Sequence, residues 1–184
     1  MPSVMSPDIP PSWREFLAAV DSALTEEVRV HCLGGFVITM LYQFPRPTSD
    51  IDYIETIPGD AAAVLQAVAG KDSDLCKEHG LYFQQVAGIA SLPESYRDRL
   101  TEVSAGAFHH LRLFALEPHD LALSKLTRNS PIDQGDVEFL AKIVPLDPNI
   151  LRARYEREFR PCALGNPDWN DQTLKLWLET FFEM

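Results

Sequence analysis

The stretch LGGFVITMLYQFPRPTSDIDYI, Leu33–Ile54, decides how the chain is read. Just before it, Val28, Val30 and Cys32 alternate with other residues into a short strand that stops at Gly34-Gly35. Phe36–Tyr42 is apolar and unbroken, which predicts a short buried helix. Pro45 and Pro47 end it, because proline cannot continue a helix and pushes the residue before it toward extended geometry. Ser49–Glu55 then reads as a second strand, with Asp50 and Asp52 on one face and Ile51 and Tyr53 on the other. Carboxylates at i and i+2 of a strand stand about 6–7 Å apart at Cα. Like charges that close are unfavourable unless something positive lies between them. A hard divalent cation, held by carboxylate and phosphate oxygens, is the usual remedy. The plainer alternative is an edge strand that carries two exposed acids.

Composition narrows the field. A chain of 184 residues is one domain, or one domain with a helical appendage, and 46% hydrophobic content is enough to bury a core. Met1–Pro11 is polar and proline-rich, without the apolar segment of a signal peptide, and no apolar run approaches the ~20 residues that span a bilayer. Cys32, Cys76 and Cys162 are odd in number and far apart, which argues against a disulfide framework or zinc site. The expectation is a reducing, cytoplasmic setting with no membrane association. A net charge of −11 disfavours broad, non-specific nucleic-acid binding but leaves room for a local basic groove.

Along the chain, Met1–Pro10 is expected to be loosely packed. Ser12 with Glu15 makes a capping-box pattern, and Trp13, Phe16, Leu17, Val20 and Leu24 form one helical stripe, predicting a helix over 12–25. Asp60 is placed to cap a helix over Ala61–Ala69 that ends at Gly70. Leu81–Val86 and Leu111–Leu116 read as further strands, with 87–99 irregular between them. The His109-His110 pair reads as structural or solvent-facing, since sequence neighbours point apart. From Glu117 on the pattern is helical only: His119–Leu126 after Pro118, then 134–144, then Asp147-Pro148 to about Arg160, then a last helix capped by Asp168. Four arginines, Arg152, Arg154, Arg157 and Arg160, either guide an RNA acceptor or pair with Glu156 and Glu158, and the pairing is favoured.

The ordered set Gly34-Gly35 and Arg46-Pro47-Thr48-Ser49-Asp50-Ile51-Asp52 resembles the signature of the nucleotidyltransferase superfamily, the polymerase-beta-like fold. That signature is an apolar residue, Gly, Gly or Ser, a spacer, then Asp-apolar-Asp or Glu. Bacterial toxin-type and resistance-type enzymes and tRNA 3'-end-adding enzymes look similar here. The spacer Phe36–Ser49 has 14 residues, at the long end for the superfamily. Glu117–Ala141, with Asp120-Leu121-x-x-x-Lys125-Leu126 and Asp133-x-x-Asp136-Val137-x-x-Leu140, is similar to a toxin-like and uncharacterised bacterial branch, in which a helical lysine and a following aspartate complete the active site. Leu92–Arg99 resembles a segment that would bring Arg97 or Arg99 near a phosphate. The resemblance covers most of residues 28–144.

The fold this implies is α+β: a nucleotidyltransferase-like core over 1–117, a mixed sheet flanked by helices, then an all-helical region over 118–184. The implied activity is metal-dependent transfer of a nucleoside monophosphate from a nucleoside triphosphate to an acceptor hydroxyl on an RNA end such as tRNA, a protein or a small molecule. A place in a toxin–antitoxin or defence system, with a cognate partner protein, belongs to the same expectation. Asp50 and Asp52 would hold Mg²⁺ or Mn²⁺; Gly34, Gly35, Arg46, Thr48 and Asp136 would bind the nucleotide; Lys125 would join Asp50 and Asp52 in catalysis. Glycines let the backbone approach phosphates, and a helix start offers free N–H groups. Lys125, four residues after Leu121, shares a face with an apolar neighbour and needs an anion there.

Two departures support a different class of function. Gly35 stands where many relatives carry Ser, and no third acidic residue is evident. The strand that should supply one has Gln84 and Gln85, and Glu117, the nearest substitute, is equally suited to starting a helix. The second reading is therefore a catalytically weak or inactive nucleotide-binding or scaffold protein, antitoxin-like, that keeps the fold. Two carboxylates rather than three, and slow or absent transfer to simple acceptors, are expected.

Overall fold

The computed structural model describes residues 9–103, 105–144 and 146–182, so the expectation for Met1–Pro10 falls almost wholly outside them. The chain divides into two compact units: residues up to Ala87 with Leu100–Ala115, and Gly88–Arg99 with Leu116 onward. Among the described residues no helix is long and apolar enough to cross a membrane.

The first unit is a five-stranded mixed sheet with helices. In chain order it contains α1 (Pro11–Ala23), β1 (Val28–Leu33), α2 (Gly34–Tyr42), β2 (Asp50–Ile57), α3 (Ala61–Ala69), α4 (Asp74–His79), β3 (Tyr82–Gln85), β4 (Thr101–Val103) and β5 (Leu111–Ala115). The strand order is β3-β2-β1-β5-β4. β1 pairs antiparallel with β2 and parallel with β5, β3 runs parallel to β2, and β4 antiparallel to β5. One face of the sheet is apolar: Val30, Cys32, Ile51, Tyr53, Phe83 and Leu113 are all essentially inaccessible. α1 turns Trp13, Phe16, Leu17 and Val20 inward, and its rings meet Phe36 at 5.1 Å and Phe83 at 6.0 Å. Burial of such large side chains is the main stabilising term, about 1.5–3 kcal/mol each.

Several local expectations change. α1 has no side-chain cap; Pro11, whose φ is preset for a helix, occupies the first turn instead of a Ser12–Glu15 box. Asp60 makes no capping bond to α3. α4, capped by Ser73 accepting from the Cys76 N–H at 3.1 Å, is too short to show a period in the sequence. β4 has only three residues and is equally silent. The largest change lies in β2. His31 pairs with Glu55 but Cys32 with Tyr53, so Ile54 is an extra residue, a β-bulge. The bulge shifts the alternation and puts Glu55 on the face of Asp50 and Asp52. The His109 and His110 N–H groups donate to Asp21 at 3.0 and 2.6 Å, and that of Leu111 at 2.7 Å, so the pair marks an anchored turn. Burial opposes the Asp21 carboxylate, but these backbone bonds hold its pKa below the usual value.

The second unit is helical: α5 (Pro118–Leu123), α6 (Pro131–Ile143), α7 (Pro148–Arg154) and α8 (Pro167–Phe181), with a 3₁₀ turn at Tyr96–Arg99. α5 stops three residues before the expected end, and the α8 cap is Asn166 rather than Asp168. α7 runs into a π turn, Tyr155–Phe159, closed by the Arg160 N–H on the Tyr155 carbonyl at 2.7 Å. Charge lies inside this unit. Asp120 is fully buried between two guanidiniums, Arg99 at 2.8 and 3.1 Å and Arg154 at 2.9 Å. Arg99 also reaches Glu158 at 2.8 Å. Its commitment to two carboxylates, not to a phosphate, corrects the expectation for that residue.

Glu117 caps α5, accepting from the His119 N–H at 3.0 Å, and it pairs with Arg154 and with His119 Nδ1 at 2.6 Å. The Asp147 N–H donates to His119 Nε2 at 2.9 Å, so the ring proton belongs on Nδ1, facing Glu117. Burial would raise the Glu117 carboxyl, but hydrogen bonds from His119 and Arg154 hold it at about 2, against 4.5. A depressed carboxyl stabilises the fold above its unfolded pKa and loses that contribution as pH falls toward its folded one. Chemical denaturation should show stability falling between pH 4.5 and 2, with a shallower slope in Glu117→Gln. At neutral pH the variant should be less stable by about 2–3 kcal/mol.

Candidate functional site

The candidate site in the first unit is built where β1 turns into α2. Gly34 has φ +75°, a conformation L side chains rarely adopt, and an ideal Cβ on it would stand 2.5 Å from Asp52 Oδ2. The helix start is thus seated directly against the Asp52 carboxylate. A Cβ on Gly35 would stand 2.6 Å from Arg46 Nη2, so that guanidinium lies over the first turn. No side chain caps α2. An uncapped helix start with an arginine over it is an anion-binding arrangement.

Asp50 and Asp52 share one half-exposed face of β2, as alternation requires. Thr48 Oγ1 donates to Asp50 Oδ1 at 3.0 Å and fixes that carboxylate's orientation. On β3, Tyr82 stands beside Asp50 and Gln84 beside Asp52. Burial, then the charges of Asp50 and Asp52, push the Tyr82 phenol pKa up, so the ring lies within the field of both acids. Gln84, not Gln85, shares the Asp52 face. Among the described residues no three His, Cys, Asp or Glu side chains gather closely enough to hold one metal ion. Two oxygen-only carboxylates, one of them oriented by a hydroxyl, suit a hard cation whose other ligands are water and substrate phosphate.

Lys125 and Asp136 are brought together in the second unit. Lys125 sits in the turn after α5, not on the helix, and is only 4% exposed. Its ammonium lies 2.7 Å from Asp136 and 3.7 Å from Asp133, both fully buried. Asp133 also closes a capping box with Ser130 and binds Arg128 at 2.6 and 2.7 Å. Burial would raise the Asp133 carboxyl, but Arg128, Ser130 and Lys125 together hold its pKa below normal. The anion that Lys125 needs is therefore supplied by the chain itself.

Two of the four C-terminal arginines pair with acids other than the expected Glu156 and Glu158: Arg154 takes Glu117 and Asp120, and Arg160 takes Asp171 at 2.8 Å. A cavity of about 530 Å³ in this unit is lined by Arg152, Tyr155, Arg160, Asp171, Leu174 and Leu178, so it holds two of the four arginines weighed as guides for an RNA acceptor and none of the residues expected at the nucleotide. The sequence reading overlooked the two polar residues that share the Asp50–Asp52 face, His31 and Glu55, which lie 3.3 Å apart. The available signal was Glu55 itself, a charge that strict alternation would turn onto the core face of Ile51 and Tyr53 and that the bulge moves away.

A five-stranded mixed sheet, with an Asp-x-Asp strand packed against a Gly-Gly helix start, defines a nucleotidyltransferase-like protein. The chain belongs to the family described as "Nucleotidyltransferase of unknown function (DUF6036)", which matches residues 15–183. No curated protein and no solved structure matches it.

Two substitutions probe this geometry. Gly34→Ala forces a left-handed alanine and a contact with Asp52, and should destabilise by about 1–2 kcal/mol in denaturant titrations. Lys125→Ala removes the ammonium from beside buried Asp136 and Asp133 and should cost about 3–5 kcal/mol in the same measurement. Lys125→Ala with wild-type stability would show that the buried pair is not needed for the fold.

Proposed function

We propose that the first unit binds a nucleoside triphosphate with Mg²⁺ or Mn²⁺ and passes the nucleoside monophosphate to an acceptor hydroxyl. The observation that supports it best is the seating of the α2 start between the Asp52 carboxylate and the Arg46 guanidinium. That juxtaposition offers anion-binding N–H groups, a cation for phosphate oxygens, and a cation-binding acid within one turn of chain. Phosphoryl transfer needs little covalent help; alignment and charge neutralisation supply most of the rate.

Each residue has a role in this reading. Gly34 and Gly35 let Asp52 and Arg46 close on the helix start, because a Cβ at either position would collide with those side chains. Arg46 gives a planar, bidentate donor set to the triphosphate. Asp50, held by Thr48, and Asp52 would hold the divalent ion, which when bound neutralises phosphate charge and polarises the acceptor oxygen. Gln84 occupies the position beside Asp52 where an acid would complete a triad. A neutral amide takes no proton, so transfer is slow on this reading. Lys125, Asp133 and Asp136 serve as a buried ion cluster that fixes α6.

A second reading, nucleotide binding without transfer, rests on the same observation about Gln84. A partner protein from a toxin–antitoxin pair, and an RNA or protein acceptor, remain with the family resemblance and not with a geometric feature.

Calorimetry with each nucleoside triphosphate and Mg²⁺ tests the proposal. Wild type should bind, and Asp50→Asn, Asp52→Asn and Arg46→Ala should each weaken binding at least tenfold while remaining folded. Binding that is equal with and without Mg²⁺, or unchanged in Asp52→Asn, would reject the site. Gln84→Glu should raise the transfer of α-labelled nucleotide in a screen of RNA and protein acceptors. No gain with binding intact supports the non-catalytic reading.

A further inference from the structure

In-line transfer sets the side from which an acceptor must come. Its oxygen bonds to the α-phosphorus on one side while the bond to the bridging oxygen breaks on the other; pyrophosphate leaves, and the hydroxyl proton passes to water. The α2 start and Arg46, which suit the departing phosphates, lie at Asp52 on the β1 side of β2, where Leu33 pairs with Asp52. The acceptor therefore approaches over β3, on the other side of β2. Tyr82 and Gln84 stand there beside Asp50 and Asp52.

Tyr82 carries two groups that the sheet does not use. Its hydroxyl makes no hydrogen bond with a described residue, and an ammonium lies over its ring, Lys71 Nζ at 5.7 Å from the centroid. Lys71 forms no ion pair with a described residue, its neighbour Asp72 included. Gly70 sets this position. Its N–H closes α3 on the Gln66 carbonyl at 2.9 Å, and a Cβ there would stand 2.4 Å from the same oxygen. The chain thus leaves α3 at once and brings Lys71 to the β3 edge. The Tyr82 and Val86 N–H groups bond to β2, so the Phe83 carbonyl between them faces the open edge, where Gln66 Nε2 donates to it at 3.1 Å. A carbonyl that an added peptide strand would need is taken, which turns this edge away from an extended polypeptide.

Resting on the nucleotidyl-transfer reading, we propose that Lys71 and Tyr82 form the acceptor subsite and select a hydroxyl compound that carries a phosphate. The Lys71 ammonium supplies a point charge for the phosphate, and the Tyr82 hydroxyl donates to one of its oxygens. In a chain of net charge −11, a local cation of this kind is the means of holding an anion beside two carboxylates. A phosphate monoester and the phosphodiester of an RNA end present the same oxygens here. Lys71 and Tyr82 leave the triphosphate to α2 and Arg46, so they set the choice of acceptor and not the affinity for nucleotide.

The test uses the full chain with ¹³C-labelled tyrosine rings, saturated with Mg²⁺ and a non-hydrolysable triphosphate. The Tyr82 signals are assigned from Tyr82→Phe, or from Phe variants of the other tyrosines if that variant does not fold. They should move with ribose 5-phosphate and stay in place with ribose at the same concentration. With Mn²⁺ in place of Mg²⁺, the signals of ribose 5-phosphate itself should broaden, as those of an acceptor beside Asp50 must. Lys71→Gln should weaken the ribose 5-phosphate response about tenfold, the loss expected for one charge-assisted bond, with the triphosphate Kd within about twofold; Lys71→Arg should keep most of the response. A short oligoribonucleotide that moves the Tyr82 signals at lower concentration than ribose 5-phosphate assigns the phosphate to an RNA end, and the reverse assigns it to a small phosphate ester; either result supports the subsite. Failure of wild type to bind metal and triphosphate overturns both the proposed function and this inference. Binding of the triphosphate, with Tyr82 signals that ribose and ribose 5-phosphate move alike, overturns the inference alone and leaves the proposed function standing. So does a ribose 5-phosphate response that Lys71→Gln leaves unchanged.

Discussion

The approach of Gly34 to Asp52 is the constraint on which the first unit depends. A residue with a Cβ at position 34 would meet the carboxylate at 2.5 Å and would resist φ +75° besides. With glycine there, β1 turns into α2 in a single residue, and the helix start comes to rest on the strand antiparallel to it. The contact lies at the middle of the sheet: β1 is the central strand, β2 beside it carries the acids and is flanked by β3, and β5 lies on the other edge of β1. The tight turn also leaves the first peptide groups of α2 without a side-chain cap. A capping serine or aspartate there would satisfy the helix and blunt its attraction for an anion.

Most of the sheet was legible because its strands obey a period of two over one buried face. Val28–Leu33 and Ala61–Ala69 have the bounds that alternation and the Asp–Gly punctuation imply, and the mixed α+β sheet and helical C-terminal part are as expected. What escaped notice was short or irregular. β4 has three residues and α4 six, less than a pattern needs to be recognised. The β2 bulge was missed because a single inserted residue leaves composition unchanged and alters only which neighbour it faces. The two acids and two glycines of the candidate site were found through their spacing. Their contacts with Arg46 and Thr48 arise from how the loop after α2 folds back, which no local period encodes.

The second unit shows the opposite balance. Its helices were readable, yet the burial of its charges was not, and Lys125 and Asp136 were expected at the ligand site. Asp120, Asp133 and Asp136 are wholly buried, and each is matched by an arginine or lysine. Breaking one side of such a pair is costly, whereas the intact pair adds little net stability over an apolar alternative. These networks therefore specify arrangement more than they add strength. A lysine that looks free by its position in a motif is, in three dimensions, already neutralised.

The path of the chain has a consequence for biosynthesis. Residues 88–99 belong to the second unit, yet they are made between β3 and β4 of the first. When the ribosome reaches Ala115 every strand of the sheet exists, while Arg99 still lacks Asp120 and Glu158. Glu158 follows 59 residues after Arg99. At a synthesis rate of about 5–20 residues per second, the Arg99 guanidinium waits roughly 1–4 seconds for Asp120 and 3–12 seconds for Glu158. The sheet can form early, but the Arg99 network of this excursion stays incomplete until Glu158 is made. A chain stopped after β5 would thus carry a segment whose Arg99 has neither of its carboxylate partners.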